Sequence, residues 1–521
     1  MFTMENIGCF SMLFTSLVVG ISSFMVSFLI KYWWRPWTIY RALKKRGFKG
    51  PAPRFLVGNL LDIANIMEKE HAKDLPAIHH DIRNRVFPFF VKWAQQYGER
   101  FVIWFGHEPR IVLTDPGEIK ELLSSKNLSN SGVSPLQQEF FSVAFGKSLV
   151  AVNGERWAQQ RRVVAPAFHI EKLKAVIGIS ARCTKEMLDE WRFIEDKACE
   201  IELTAPMKNL TANIMIESQY GLDSKRGKDI FENMNSLEGL ILESFRYLWI
   251  PCGRFLPTAT NREIWKWNRR MEQNVKFMIQ ERLNRGSYGN DLLGLMLSEI
   301  NQFSADGENI SYTMQQLMDE SKTFFLAGKE NTSNLICWAL LLLALNPHWQ
   351  DKARQEAKDI CGTQDPTTDS VKDLKVIGMI LKETLRLYSP APGIIKQTFT
   401  DLKLGEDGLV IPKGVSVIVD ILTVHRDPKL WGADANEFNP SRFAEGISKA
   451  GNHPSAFIPF SSGPRSCIGQ NFVVLQAKVI MAMVLKDLKF SISPHYRHAP
   501  VAFLSLSPQY GMPIMVERVL S

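Results

Sequence analysis

One ten-residue stretch constrains this chain more than any other. It runs Phe460, Ser461, Ser462, Gly463, Pro464, Arg465, Ser466, Cys467, Ile468, Gly469. Gly463 and Gly469 permit tight backbone turns beside a large flat partner. An apolar-periodic segment begins at 468 and predicts a helix over 468–487. Arg465 and the start of that helix place positive potential near the sulfur, which favours the thiolate. Such a loop presents a single cysteine to a metal. A buried structural cysteine is the commoner fate of a lone Cys, but that role does not require the surrounding pattern.

The chain has 521 residues and is 45% hydrophobic, enough for one large core or two ordinary domains. Charged residues make up 22%, which excludes a disordered chain. Cysteines stand at 9, 183, 199, 252, 337, 361 and 467, an odd and dispersed set that fits a reducing compartment. The net charge is +8. No basic run carries interleaved aromatics, so the pattern argues against nucleic acid as a partner. Part of the excess follows an N-terminal apolar segment and points to a membrane surface instead.

That segment, residues 8–30, carries no charge and is long enough to span a bilayer. Lys31, Arg35, Arg41, Lys44, Lys45, Arg46 and Lys49 follow it, and only Glu5 precedes it. The positive-inside rule puts the C-terminal side in the cytosol. Trp33, Trp34 and Trp37 sit at interface depth. A cleaved signal peptide would need a basic start and a shorter apolar stretch. Gly50, Pro51, Ala52 and Pro53 then predict a stiff, non-helical joint. The division is 1–30 anchor, 31–53 basic and proline-rich hinge, and 54–521 catalytic domain. A second apolar run, 335–345, is too short to span and reads as the end of a buried core helix.

Between 54 and 521 there is no repeat and no low-complexity tract. Helical periodicity predicts helices near 114–126, 155–190, 205–220, 262–286, 313–346, 347–361, 370–388 and 468–487. Strand-like pieces are short: 100–105, 110–113, 408–420 and 488–492. The expected class is mainly α with small β-sheets, preceded by one transmembrane helix.

The stretch around Cys467 resembles the haem-binding signature of the cytochrome P450 superfamily, the haem-thiolate monooxygenases. The resemblance covers nearly the whole chain. It implies haem b (iron protoporphyrin IX) with Cys467 as the iron ligand, and a thiolate that favours O–O cleavage. Further motifs occur in the family's order. Phe324 to Thr332 resembles the oxygen-binding helix, with Ala327 and Gly328 as the small-sided patch and Glu330, Asn331 and Thr332 as proton-handling residues. The family usually has Thr where Asn331 stands. An amide also donates and accepts hydrogen bonds, so Asn331 can hold a water in a relay; alternatively its presence marks an isomerase or dehydratase. Trp157 and Arg161 resemble the W-x-x-x-R pair that contacts a haem propionate. Lys396 and Arg465 are the other propionate candidates, Lys396 making a weaker single-point contact. Glu383 and Arg386 resemble the E-x-x-R element, with Arg442 as its third partner and Ser441 departing from the usual acid.

The expected substrate walls are 133–150, 240–250, 317–328, 391–395 and 506–512, all largely apolar. Tyr247 to Pro251 is an apolar, turn-bounded stretch that reads either as ordinary core or, as the resemblance implies, as a loop that dips into the membrane near the substrate entrance. The region around Tyr510 and the helix sequence are similar to the plant clan that oxidises terpenoids and isoprenoid-type hormones. No dinucleotide fingerprint is present, so the resemblance implies an NADPH-dependent cytochrome P450 reductase as partner. It also implies a single-pass endoplasmic reticulum protein with its catalytic domain on the cytosolic face. A non-catalytic haem binder is the remaining rival.

Overall fold

The computed structural model describes residues 4–519, apart from 74, 76, 195–196, 222–238, 241–242, 244–252, 254–255 and 306–311. The 247–251 loop and most of the 240–250 wall lie outside the described residues.

The chain opens with an apolar helix, Met4–Leu29. It does not stop at residue 30. A π-turn, Ile30–Trp34, carries it into a second helix, Arg35–Lys45. Pro36 has no amide hydrogen for the preceding turn, and the helix widens just before it. The basic stretch after residue 30 is therefore helical as far as Lys45. The non-helical joint covers 46–53 and is tied to the first strand by Val102 N–H donating to Lys49 O at 2.9 Å. Phe14, Phe24, Trp33 and Trp34 are all more than half exposed. Among the described residues one helical stretch, Met12–Lys45, is long and apolar enough to cross a membrane.

The core is built on a long helix, Met314–Leu345, opened by a capping box in which Thr313 and Gln316 satisfy each other's backbone amides. Its C-terminal half, Leu335 to Leu343, is enclosed on all sides, as expected of the second apolar run. The helix Thr204–Tyr220 packs along it. Two side-chain bonds fix that contact: Thr211 Oγ1 to Lys329 O at 3.0 Å and Gln219 Nε2 to Ser321 O at 2.7 Å. The helices Lys174–Glu190, Lys375–Leu387 and Gln470–Asp487 complete the bundle.

Two expected helices are broken. The 155–190 segment becomes Gly154–Val164, a 3₁₀ turn Ala165–Phe168, and Lys174–Glu190, because Pro166 cannot continue an α-helix interior. The 370–388 segment breaks at Leu374, where Thr368–Asp373 ends and Lys375–Leu387 begins.

The strands are β1 (Val102–Phe105), β2 (Glu108–Leu113), β3 (Ser131–Gly132), β4 (Cys199–Glu202), β5 (Gly393–Thr398), β6 (Leu402–Leu404), β7 (Leu409–Ile411), β8 (Ser416–Asp420), β9 (Leu488–Ile492), β10 (Pro500–Ala502), β11 (Leu506–Pro508) and β12 (Pro513–Arg518). The main sheet has the order β1-β2-β8-β5-β3, with only β2 and β8 parallel. The expected 408–420 strand splits into β7 and β8 at Pro412. β5 carries no clear alternation in sequence; it is half-buried along most of its length because it borders the cavity. Cys183, Cys199, Cys337, Cys361 and Cys467 are free thiols.

Candidate functional site

The segment before the helix Gln470–Asp487 folds back on itself. Cys467 N–H donates to Phe460 O at 2.9 Å and Ser466 N–H to Gly463 O at 3.0 Å. Gly463 has φ +70°, and a Cβ there would run into the Leu123 carbonyl. Its crowded neighbour is therefore backbone from another element. Gly469 has an ordinary φ and an open side, with Phe168 no nearer than 4.0 Å.

The closed segment turns the Cys467 thiol into a cavity of about 820 Å³. The sulfur is open to this void yet enclosed by protein. Burial pushes its pKa up, against the Gly469 and Gln470 backbone N–H groups and the Arg161 charge, which lower it. The helix-start N–H groups favour the thiolate as expected, the cation acting on the sulfur is Arg161 rather than Arg465, and burial opposes both. A metal held by this sulfur would supply the charge that offsets this cost.

Three cations gather on the same wall. Arg161 Nη1 donates to Ser466 O at 3.0 Å. Arg465 Nη2 donates to Val152 O at 3.1 Å and Asn153 Oδ1 at 3.2 Å, and its guanidinium lies over the Trp157 ring at 4.5 Å. Arg465 Nε is buried without a hydrogen-bond partner among the described residues. Burial, with Arg465 nearby, lowers Lys396 from its usual value to about 7. Burial first and then Arg161 lower Arg465 to about 10. No carboxylate pairs with any of the three among the described residues. Uncompensated buried cations are costly, so the wall suits a ligand that brings carboxylates. A flat cofactor with two propionates and a metal fits this donor set. Phe460 and Trp157 border the same space.

The opposite wall is the long helix. Ala327, Gly328 and Asn331 line the cavity. A Cβ on Gly328 would collide with Sδ of Met215, so helix packing as well as the cavity demands glycine here. Glu330 and Thr332 are not on the cavity wall. Glu330 is ion-paired to Lys208 Nζ at 3.0 Å and Lys329 Nζ at 3.2 Å. Thr332 is fully buried, its hydroxyl without a partner among the described residues.

Glu383, Arg386 and Arg442 meet as expected, away from the cavity. Arg386 holds Glu383 through Nε at 2.8 Å and Nη2 at 2.7 Å, and Arg442 Nε lies 3.5 Å from the same carboxylate. Both members of the first pair are fully buried. His425, which sequence reasoning missed, joins this brace to the cysteine segment. Its ring bonds Arg386 O at 3.1 Å and accepts Ile458 N–H at 3.0 Å. Burial, then Arg386 and Arg426, lowers it to about 3, so it is neutral. One ring nitrogen therefore donates while the other accepts.

The remaining lining is aromatic: Phe87, Phe89, Phe90, Phe140 and Phe141 among others. The 133–150 and 391–395 segments contribute as expected, and Thr323 and Phe324 contribute from 317–328. The C-terminal wall differs: Ala502, Phe503 and Leu504 reach the cavity, whereas Leu506 and Met512 are in the core. Leu506 opens β11 with its side chain inward, and Met512 is buried in the turn before β12. The Phe87, Phe89, Phe90 cluster was visible in sequence, but its distance along the chain from Cys467 concealed its role.

The model of the family described as cytochrome P450 matches residues 74–510. A cytokinin hydroxylase of Arabidopsis thaliana is 39% identical over 93% of this chain and 94% of its own length. Cytochrome P450 709B1 of Arabidopsis thaliana is 37% identical over 96% and 97%. Cytochrome P450 734A6 of Oryza sativa subsp. japonica is 37% identical over 93% and 92%.

Proposed function

The chain belongs to the cytochrome P450 family and is a haem-dependent monooxygenase, and we propose that it hydroxylates a hydrophobic terpenoid or hormone-like molecule with electrons from an NADPH-dependent reductase. The observation that carries this reading is the cavity that joins Cys467 and three unpaired cations to an aromatic substrate wall. Cys467 would hold the iron. Arg161, Arg465 and Lys396 would hold the propionates, with Trp157 and Phe460 against the ring. Bound haem supplies dioxygen activation and oxygen insertion. The protein's own part is to seat the substrate, exclude water and manage protons through Asn331 and its neighbours Glu330 and Thr332.

Relatives named as hydroxylases, at close to full-length coverage, support the reaction type over isomerisation or dehydration. The exposed apolar helix followed by basic residues supports a single-pass endoplasmic reticulum anchor with a cytosolic catalytic domain. Reconstitution of the full chain with a plant flavoprotein reductase tests the proposal. Terpenoid and hormone panels should yield a substrate that accelerates NADPH consumption and gains one oxygen atom. Product formation without NADPH or reductase would overturn it.

A further inference from the structure

The cavity wall carries four cationic side chains and, among the described residues, no carboxylate. Three of them, Arg161, Arg465 and Lys396, surround the cysteine segment and are accounted for by the two haem propionates. The fourth, Arg110, is not. It lies in β2, paired in register with Ser416 of β8, and β8 separates it from β5, which carries Lys396. Two strand spacings put these backbones roughly 10 Å apart.

Arg110 is 6% exposed. Its Nε bonds Glu108 Oε1 at 2.8 Å, and Ser416 Oγ donates to the same oxygen at 3.0 Å. Its guanidinium lies 4.1 Å from the centre of the Phe105 ring. These contacts fix the side chain and use one edge of the fork. Among the described residues neither Nη group has a hydrogen-bond partner. Glu108 does not line the cavity, so the void meets only the donor side of the pair. A fixed guanidinium with two free parallel N–H donors matches a planar carboxylate.

We propose that Arg110 anchors a carboxylate on the substrate, so that the enzyme takes an amphipathic acid whose apolar body lies along the phenylalanine walls. This rests on reading the cavity as the substrate site. Ile395 and Ile418, which line the cavity beside Arg110, continue the apolar path from that head toward Ala391 and the cysteine segment.

Dodecanoic acid and its methyl ester are the probes, titrated into the full-length holoprotein and read by the shift of the Soret band. The acid should bind about tenfold more tightly than the ester, the scale of one charge-assisted bidentate contact. Arg110→Gln should erase that preference, and Glu108→Gln should increase it by removing the competing carboxylate. If Arg110→Gln fails to retain haem because Glu108 is left buried and unpaired, the double variant Glu108→Gln, Arg110→Gln carries the same test. Equal response to acid and ester in the wild type, including no response to either, overturns the proposal, as does a preference that survives loss of Arg110. The reduced, CO-bound spectrum separates this from the broader reading: a wild-type chain without a thiolate band removes the premise and the proposal together.

Discussion

Asn331 reaches the cavity while the acid next to it turns away. Glu330 is held by two lysines, and the Thr332 hydroxyl is buried behind the wall. If protons reach the cavity along this helix, Asn331 is the member of the three that faces it, and its amide can donate and accept. Asn331→Ala should lower product formed per NADPH and raise hydrogen peroxide release. Asn331→Thr should retain much of the coupling, since a hydroxyl serves the same purpose. General acid–base assistance is worth about 10²- to 10⁴-fold, so measuring peroxide, NADPH and product together resolves the effect. Unchanged coupling in Asn331→Ala would make the position structural. At this scale Cys467, Arg161 and Arg465 were legible because their motifs are local in sequence. Arg110 was not: its partners Glu108 and Phe105 look like an ordinary hairpin until β8 and the cavity frame it.

The long helix also clamps a wall of the cavity. Asp319 Oδ2 accepts Lys147 N–H at 2.8 Å, Glu320 Oε1 accepts Leu149 N–H at 2.7 Å, and Thr323 Oγ1 donates to Ser148 Oγ at 2.8 Å. Leu149 and Val150 line the space they hold shut. Glu320 is fully buried, and its second oxygen has no partner among the described residues. Burial raises it from 4.5 to about 8, against the Leu149 N–H, with Asp319 adding to the rise. The unfolded chain ionises this group near its ordinary value while the folded chain keeps the proton. Its stabilising contribution is thus present below pH 4.5 and is lost as pH rises toward 8. Glu320→Gln keeps an acceptor for Leu149 and removes the titration. Between pH 5 and 8 the wild type should lose stability relative to this variant by on the order of 3 kcal/mol. Denaturant unfolding followed by tryptophan fluorescence at the two pH values checks it, and parallel pH slopes would contradict it. The existence of the main helices was legible from their 3.6-residue period. The break at Pro166 carried its own mark, since proline cannot continue a helix, but apolar periodicity runs across it; the break at Leu374 and β5, whose residues are half-buried along most of the strand, carried none.

For the whole molecule, the mainly helical class with small sheets and the apolar start were legible from composition and period alone. The reach of the N-terminal helix to Lys45 was not, since the charged residues after 30 read as a boundary although the backbone has no reason to stop there. If this helix anchors the protein, deleting residues 1–30 should weaken membrane attachment and leave haem content intact. The remaining chain keeps the joint bonded to β1 and the entire core. Fractionation at high salt and at alkaline pH reads attachment; an unchanged membrane fraction would assign binding to another surface. The functional account depends on one bond, between the Cys467 thiol, whose backbone N–H closes the 460–467 turn, and a haem iron. The reduced, CO-bound difference spectrum of the full-length wild type and of Cys467→Ala tests it most directly. The wild type should show the thiolate-ligated Soret band, and Cys467→Ala should lose it. A variant that keeps that band would contradict the account.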